Sequence, residues 1–147
     1  MKALIQRVSE ASVKINGDIV GSICRGVLLF LGIDKGDEEK DIDYLVRKVL
    51  NLRIFEDGEG KMNLSVTDTG GDVLVISQFT LSAEYKKGNR PSFDNAEIPS
   101  TAEHLYTTFV NKLKKTGIPV STGRFGAYMK VSLTNEGPVT FLIDSRK

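Results

Sequence analysis

Hydrophobic and polar residues alternate along positions 2–8, and two further short alternating runs, 12–16 and 19–23, flank Asn16-Gly17-Asp18. A period of two marks a strand with one buried face. Asn-Gly between two such runs predicts a type I′ hairpin, because both central residues must take positive φ. The run GVLLFLGI, residues 26–33, is almost wholly apolar and predicts a strand covered on both faces. The period then changes. Over 37–52 the apolar positions are Ile42, Leu45, Val46, Val49 and Leu50, one stripe of a helix whose first turn is acidic. A polar turn at 56–63, EDGEGKMN, precedes a second buried strand at 72–81, DVLVISQFTL. A long loop follows at 82–98. Ser100 with Glu103 predicts a capping box for a second helix, whose core face is Ala102, Leu105, Tyr106, Phe109 and Leu113. GAYMKVSL and PVTFLID predict the final strands, joined by a corner at Asn135-Glu136-Gly137-Pro138. Many strands with two helices, one set between strand blocks, indicate an α+β fold with a mainly antiparallel sheet. No repeat or linker interrupts it, so residues 1–147 are read as a single domain.

Composition narrows the function classes. Twenty basic and 19 acidic side chains leave a formal net charge of +1, so no global field attracts nucleic acid and any RNA contact must use a local patch. Cys24 is the only cysteine, which rules out an internal disulfide and suits a reducing compartment. No run approaches the ~20 apolar residues of a membrane helix. A cytoplasmic protein is expected. The only histidine is His104, so a zinc site built on two histidines is impossible and a Ser-His-Asp triad would have to use this residue. It lies one step off the apolar stripe of the second helix, where a surface or half-buried structural role is expected. Cys24 borders a buried strand, where a free thiol packs as a small hydrophobe.

The chemistry concentrates in SQFTL, 77–81. Here a buried strand delivers Ser77, Gln78 and Thr80 at its end, just before the long loop. Alternation would place Gln78 and Thr80 on one face, and Ser77 and Phe79 on the other. Two readings stand side by side: hydroxyls that bond the local backbone, or a pocket floor with hydroxyls, an amide and an aromatic platform for a nucleobase. A threonine without a histidine partner is a poor nucleophile, but it can orient water. In GNRPSF, 88–93, Arg90, with Lys86 and Lys87 just upstream, would bring positive charge to the mouth of such a pocket. The sequence TGRFGAYM, 122–129, has glycines but lacks the strand-then-helix setting of a phosphate loop.

QRV at 6–8, SQFTL at 77–81, KGNRPSF at 87–93, GAYMKV at 126–131 and NEGPVT at 135–140 occur in order across the chain. Together they resemble the D-aminoacyl-tRNA deacylase family, formerly the D-tyrosyl-tRNA deacylases. The resemblance implies a barrel-like sheet and a homodimer with a cross-subunit active site. It also implies hydrolysis of the ester between a D-amino acid and the 3′-terminal adenosine of tRNA, with glycyl-tRNA as a further substrate. No metal or cofactor, no membrane and no DNA are expected. Ser77, Gln78 and Thr80 inherit catalytic positions and Phe79 a substrate-binding one, while Met129 becomes a wall of the adenosine pocket. Gly137-Pro138 matches a Gly-cis-Pro element that enters the partner's active site and sets chirality, and Arg7 matches the arginine that supports it.

An aminoacyl-tRNA ester is already activated, so orientation and oxyanion donors can supply most of the rate. Orientation contributes roughly 7–11 kcal/mol and one oxyanion donor about 3–4 kcal/mol. Thr80 would then position substrate or water, with the N–H groups of 78–80 as donors. A covalent Thr80 acyl intermediate and activation of water by the ribose 2′-OH are the alternatives. D and L esters carry the same groups, so only a steric filter next to the Cα can separate them. Backbone suits that task, and Gly137 permits close approach. Two rival functions predict different behaviour. An RNA-binding module would bind without cleaving, and a small-ester hydrolase would ignore the terminal adenosine.

Overall fold

The Asn16-Gly17 turn forms as its composition requires, with φ of 51° at Asn16 and 84° at Gly17. It joins strand β1, Lys2–Ile15, to β2, Asp18–Ile23, in an antiparallel ladder. The computed structural model describes residues 1–86 and 88–147, so Lys87 of the expected basic loop lies outside the described residues. The remaining elements are β3 (Gly26–Gly32), α1 (Glu39–Asn51), β4 (Phe55–Glu56), β5 (Met62–Leu64) and β6 (Asp72–Ser77). A short 3₁₀ turn (Phe79–Ser82), α2 (Pro99–Lys115), β7 (Val120–Thr122) and β8 (Lys130–Asp144) complete them.

Strand β1 organises the sheet. Along one edge it pairs antiparallel with β8, from Lys2 opposite Asp144 to Lys14 opposite Lys130. Its other edge is shared, the first half pairing with β3 and the second with β2. All three ladders are antiparallel. Beyond β3 the direction changes: β3–β6 and β6–β7 are parallel, because α1 and α2 carry the chain back to the same end before each new strand. The sheet nearly closes where β7 meets β2. Ser121 Oγ donates to the Ser22 carbonyl at 3.2 Å, and a Cβ on Gly21 would lie 2.5 Å from the Thr122 oxygen. The fold is therefore α+β, with a barrel-like mixed sheet and two helices.

Two apolar clusters fill the fold. Ile5, Leu29, Leu31 and Val75 face the helices, where Leu45, Phe109 and Leu113 cover them. Val8, Val13, Leu28, Leu74 and Ile76 pack against each other on the opposite face. Strands β3 and β6 contribute to both, as their continuous apolar sequence predicts. Helix α1 carries its own capping box, Glu38 with Asp41, and the Glu38 N–H donates to Asp41 Oδ2 at 2.8 Å. The box expected at Ser100 and Glu103 does not form. Instead Pro99, with its fixed φ and no N–H to satisfy, opens α2 two residues earlier, with Ile98 as N-cap, and leaves Ser100 inside the first turn. Four of the five expected core positions of α2 are buried, namely Ala102, Tyr106, Phe109 and Leu113, while Leu105 is half-buried.

Candidate active site

Strand β6 stops at Ser77, four residues before the sequence pattern suggests. The Gln78 N–H still continues the ladder to the Leu31 carbonyl at 2.8 Å. The chain then coils, with Leu81 N–H donating to the Gln78 oxygen at 3.3 Å and Ala83 N–H to the Thr80 oxygen at 3.1 Å. Gly32 makes room for this bend, since a Cβ there would lie 2.9 Å from the Cβ of Leu81 and 3.1 Å from the Gln78 oxygen. Beneath the turn, the fully buried Ser82 hydroxyl donates to Asp34 Oδ1. Lys2 Nζ lies 3.4 Å from Asp34 Oδ2 and also donates to the Leu81 carbonyl at 3.2 Å. Strand alternation therefore does not set the faces of Gln78, Phe79 and Thr80. In the turn, Gln78 Nε2 donates to Thr80 Oγ1. Of the three N–H groups proposed as oxyanion donors, that of Gln78 is taken by Leu31. Those of Phe79 and Thr80 open the turn and have no partner among the described residues, as expected for the first groups of a helical turn.

A cavity of about 490 Å³ opens beside this turn, at the ends of the parallel strands. Ser77, Gln78 and Phe79 form one wall, Ala96 and Pro99 another, and Phe125, Tyr128 and Met129 a third. Its lining is mostly apolar with a few polar groups, the usual character of a small-molecule site. Phe79 is 57% exposed and meets Phe93 edge-on, with ring centres 4.9 Å apart. Residues 126–129, expected to begin a strand, lie ahead of β8 instead, at the end of a turn over 124–127 in which Ala127 N–H donates to the Arg124 oxygen at 3.2 Å. Met129 lines the cavity from the position just before β8, and Val131 lines it from within the strand. Gly123 seats Met129, for a Cβ there would lie 2.5 Å from the Met129 sulfur. Thr80 is exposed and borders the cavity through Gln78 rather than lining it. Behind the wall, the Tyr106 hydroxyl donates to the Val75 carbonyl at 3.0 Å, and burial pushes its pKa up to about 12.

Arg7, Gly137 and Pro138 form a second group and do not line the cavity of their own chain. The segment 135–140 is not a corner between two strands. Val8 pairs with Asn135 and Gln6 with Thr140, so β8 continues in one direction on both sides while four residues, 136–139, bulge out opposite Arg7. Within that excursion the Gly137-Pro138 bond is cis and Gly137 has φ of 147°. Arg7 is buried, and its guanidinium donates to the Glu136 carbonyl at 2.8 Å and to the Ile54 carbonyl at 2.6 Å. Glu56 lies 3.9 Å away.

Other candidates recede. His104 is exposed on α2. Cys24 is exposed too, against the expected packing role, because it lies in the tight link between β2 and β3 rather than within either strand. Lys86 and Arg90 are exposed and absent from the cavity lining. Among the described residues no three of His, Cys, Asp or Glu converge as a metal site would need. No helix among them is long and apolar enough to cross a membrane. Asp34 and Ser82 were not singled out by the sequence reading, since each resembles an ordinary loop residue until the fold brings them together.

Fold and site define an α+β protein with a nearly closed sheet and an apolar, aromatic cavity at a strand-to-turn junction. Residues 4–144 match the family described as D-Tyr-tRNA(Tyr) deacylase, and the chain belongs to it. It is 56% identical over 146 residues to a D-aminoacyl-tRNA deacylase of Thermodesulfovibrio yellowstonii, covering 99% of this chain and 100% of that one. It is likewise 56% identical over 147 residues to that of Aquifex aeolicus, with 100% and 99% covered. Among solved structures, a c-Myc DNA Unwinding Element Binding Protein superposes with a TM-score of 0.93 at 43% identity, over 98% of each chain. A probable eukaryotic D-amino acid tRNA deacylase shares the fold, with a TM-score of 0.79 at 18% identity over 97% of each chain.

Proposed function

We propose that the chain, acting as one domain, hydrolyses the ester of D-aminoacyl-tRNA and releases the free D-amino acid and tRNA. One observation carries the reading: Ser77, Gln78, Phe79 and Met129, the residues matched to the family's site, line a single cavity with Thr80 at its edge. The 3′-terminal adenosine enters this cavity, Phe79 offers its ring to the base, and Met129 walls it. The N–H groups of Phe79 and Thr80 supply oxyanion donors, and Thr80, fixed by Gln78, positions the attacking water. No metal takes part.

The Gly137-Pro138 excursion acts in trans. It does not line the cavity of its own chain, which agrees with a homodimer in which each subunit completes the other's site. There the excursion rejects L-aminoacyl esters by steric conflict at the Cα and passes achiral glycyl-tRNA. The cytoplasm, where charged tRNA is used, is the place of action, and neither DNA nor a membrane is a partner. The test is release of D-tyrosine and L-tyrosine from charged tRNA, with and without EDTA. Rapid release of D-tyrosine, slow release of L-tyrosine and indifference to EDTA are expected. Binding without release would make the protein an RNA-binding module, and equal turnover of D and L would remove the steric filter.

A further inference from the structure

An ordinary β-bulge sets two residues against one. Here four residues of β8, 136–139, stand opposite the single residue Arg7, so their backbone groups lose the rungs that β1 would supply. One end is held by Arg7, through the Glu136 carbonyl. The other is held by Asn135. The Val139 N–H donates to Asn135 Oδ1 at 2.7 Å, and Asn135 Nδ2 donates to the Val139 carbonyl at 3.1 Å. Because an N–H can only donate, the amide oxygen must face Val139 N, which leaves the amide nitrogen for the carbonyl and fixes the orientation of the side chain. Nδ2 also reaches Thr140 Oγ1 at 3.0 Å, which Gln6 Nε2 meets from β1 at 3.2 Å. A single primary amide thus bonds both backbone groups of a residue four positions along, as a neighbouring strand would. It closes the excursion into a ring and leaves only Gly137-Pro138 projecting.

We propose that Asn135 is a positioning residue that sets the placement of the Gly137-Pro138 backbone, and through it the discrimination between D and L esters. This rests on the steric-filter reading above. Asn135→Asp keeps the shape and the bond from Val139 N–H but sets a carboxylate oxygen against the Val139 carbonyl, and Asn135→Ala removes both bonds. The test measures kcat/KM for D-tyrosyl-, L-tyrosyl- and glycyl-tRNA in the wild type and both variants. The ratio of D to L is expected to fall by at least about tenfold in each, which is about 1.4 kcal/mol of lost discrimination, while the ratio of D to the achiral glycyl substrate changes far less. A merely structural role would lower all three rates together and leave the ratios unchanged, which overturns the inference. A wild type without any D-over-L preference overturns the functional reading and this inference with it. Should both variants fail to fold, hydrogen exchange of the wild-type Val139 amide decides: slow exchange supports the clamp, and exchange at the rate of an open loop overturns it.

Discussion

The turn at 78–82 and the excursion at 136–139 both leave a strand, yet they are held in opposite ways. The turn is held by local backbone bonds above and by a buried hydroxyl–carboxylate pair, Ser82 and Asp34, below. The excursion has no rungs to β1 and is held by two side chains, Arg7 and Asn135. The first leaves donors and an aromatic ring free to meet a ligand. The second spends side chains on its own support and presents backbone. Under the proposed function the difference has a reason, since reactive groups need freedom from partners whereas a steric filter needs immobility.

That contrast gives its largest expected effect at Arg7. Arg7→Met removes a buried guanidinium from the Ile54 and Glu136 carbonyls, and hydrogen bonds to charged groups contribute roughly 1.5–3 kcal/mol each, so stability should fall by about 3–5 kcal/mol. A urea midpoint measures it, and a loss under about 1 kcal/mol would show that the excursion supports itself. Thr80→Ala probes the other region. The side chain is exposed, so stability should change by no more than about 0.5 kcal/mol. The value of kcat should fall by about 10²-fold, the scale on which misplacing a reacting group acts, because the side chain positions the water while the backbone donors remain. A fall beyond about 10⁴-fold, on the scale of a lost nucleophile, would support the covalent route. Retention of most activity would leave the 2′-OH of the tRNA as activator of the water.

The smallest effect is at Tyr106, which ties α2 to β6 behind the cavity wall. Tyr106→Phe loses one hydrogen bond to Val75, about 1 kcal/mol. Its pH dependence follows from burial: the phenol titrates at about 12 in the fold against an ordinary value of 10.0. The fold thus favours the neutral form. This contribution is complete below pH 10 and is lost as pH rises towards about 12. The difference in stability between wild type and variant should be flat from pH 6 to about 9.5 and shrink above pH 10. A difference that stays flat through about pH 11 would place the hydroxyl in water, where folding leaves its pKa unchanged.

Local pattern carried far in this sequence. The Asn16-Gly17 hairpin, the strand at 26–32 and the stripe of α1 follow from periodicity alone, because each depends on neighbours within a few residues. The departures share a cause. Strand β6 stops early because of Gly32 and Asp34, both more than forty residues upstream. The corner expected at 135–138 is an excursion from one continuous strand because β1 pairs on both sides of it. Ser77, Gln78, Phe79 and Met129 were legible through motifs. What Thr80 touches, and the roles of Asp34, Ser82 and Asn135, were not, since each depends on which partner the fold brings near.

The ladder between β1 and β8 also bears on how the protein is made. Arg7 and the Glu136 carbonyl it holds are 129 residues apart in the chain. At about 5–20 residues per second, a ribosome takes on the order of 10 s to travel that distance. Through that interval one edge of β1 has no partner, and an open edge is a template for pairing with another chain. Topologies dominated by such distant pairs also fold slowly. The turn around Thr80 can assemble once β3 and β6 have met. The excursion must wait for β8 to reach β1.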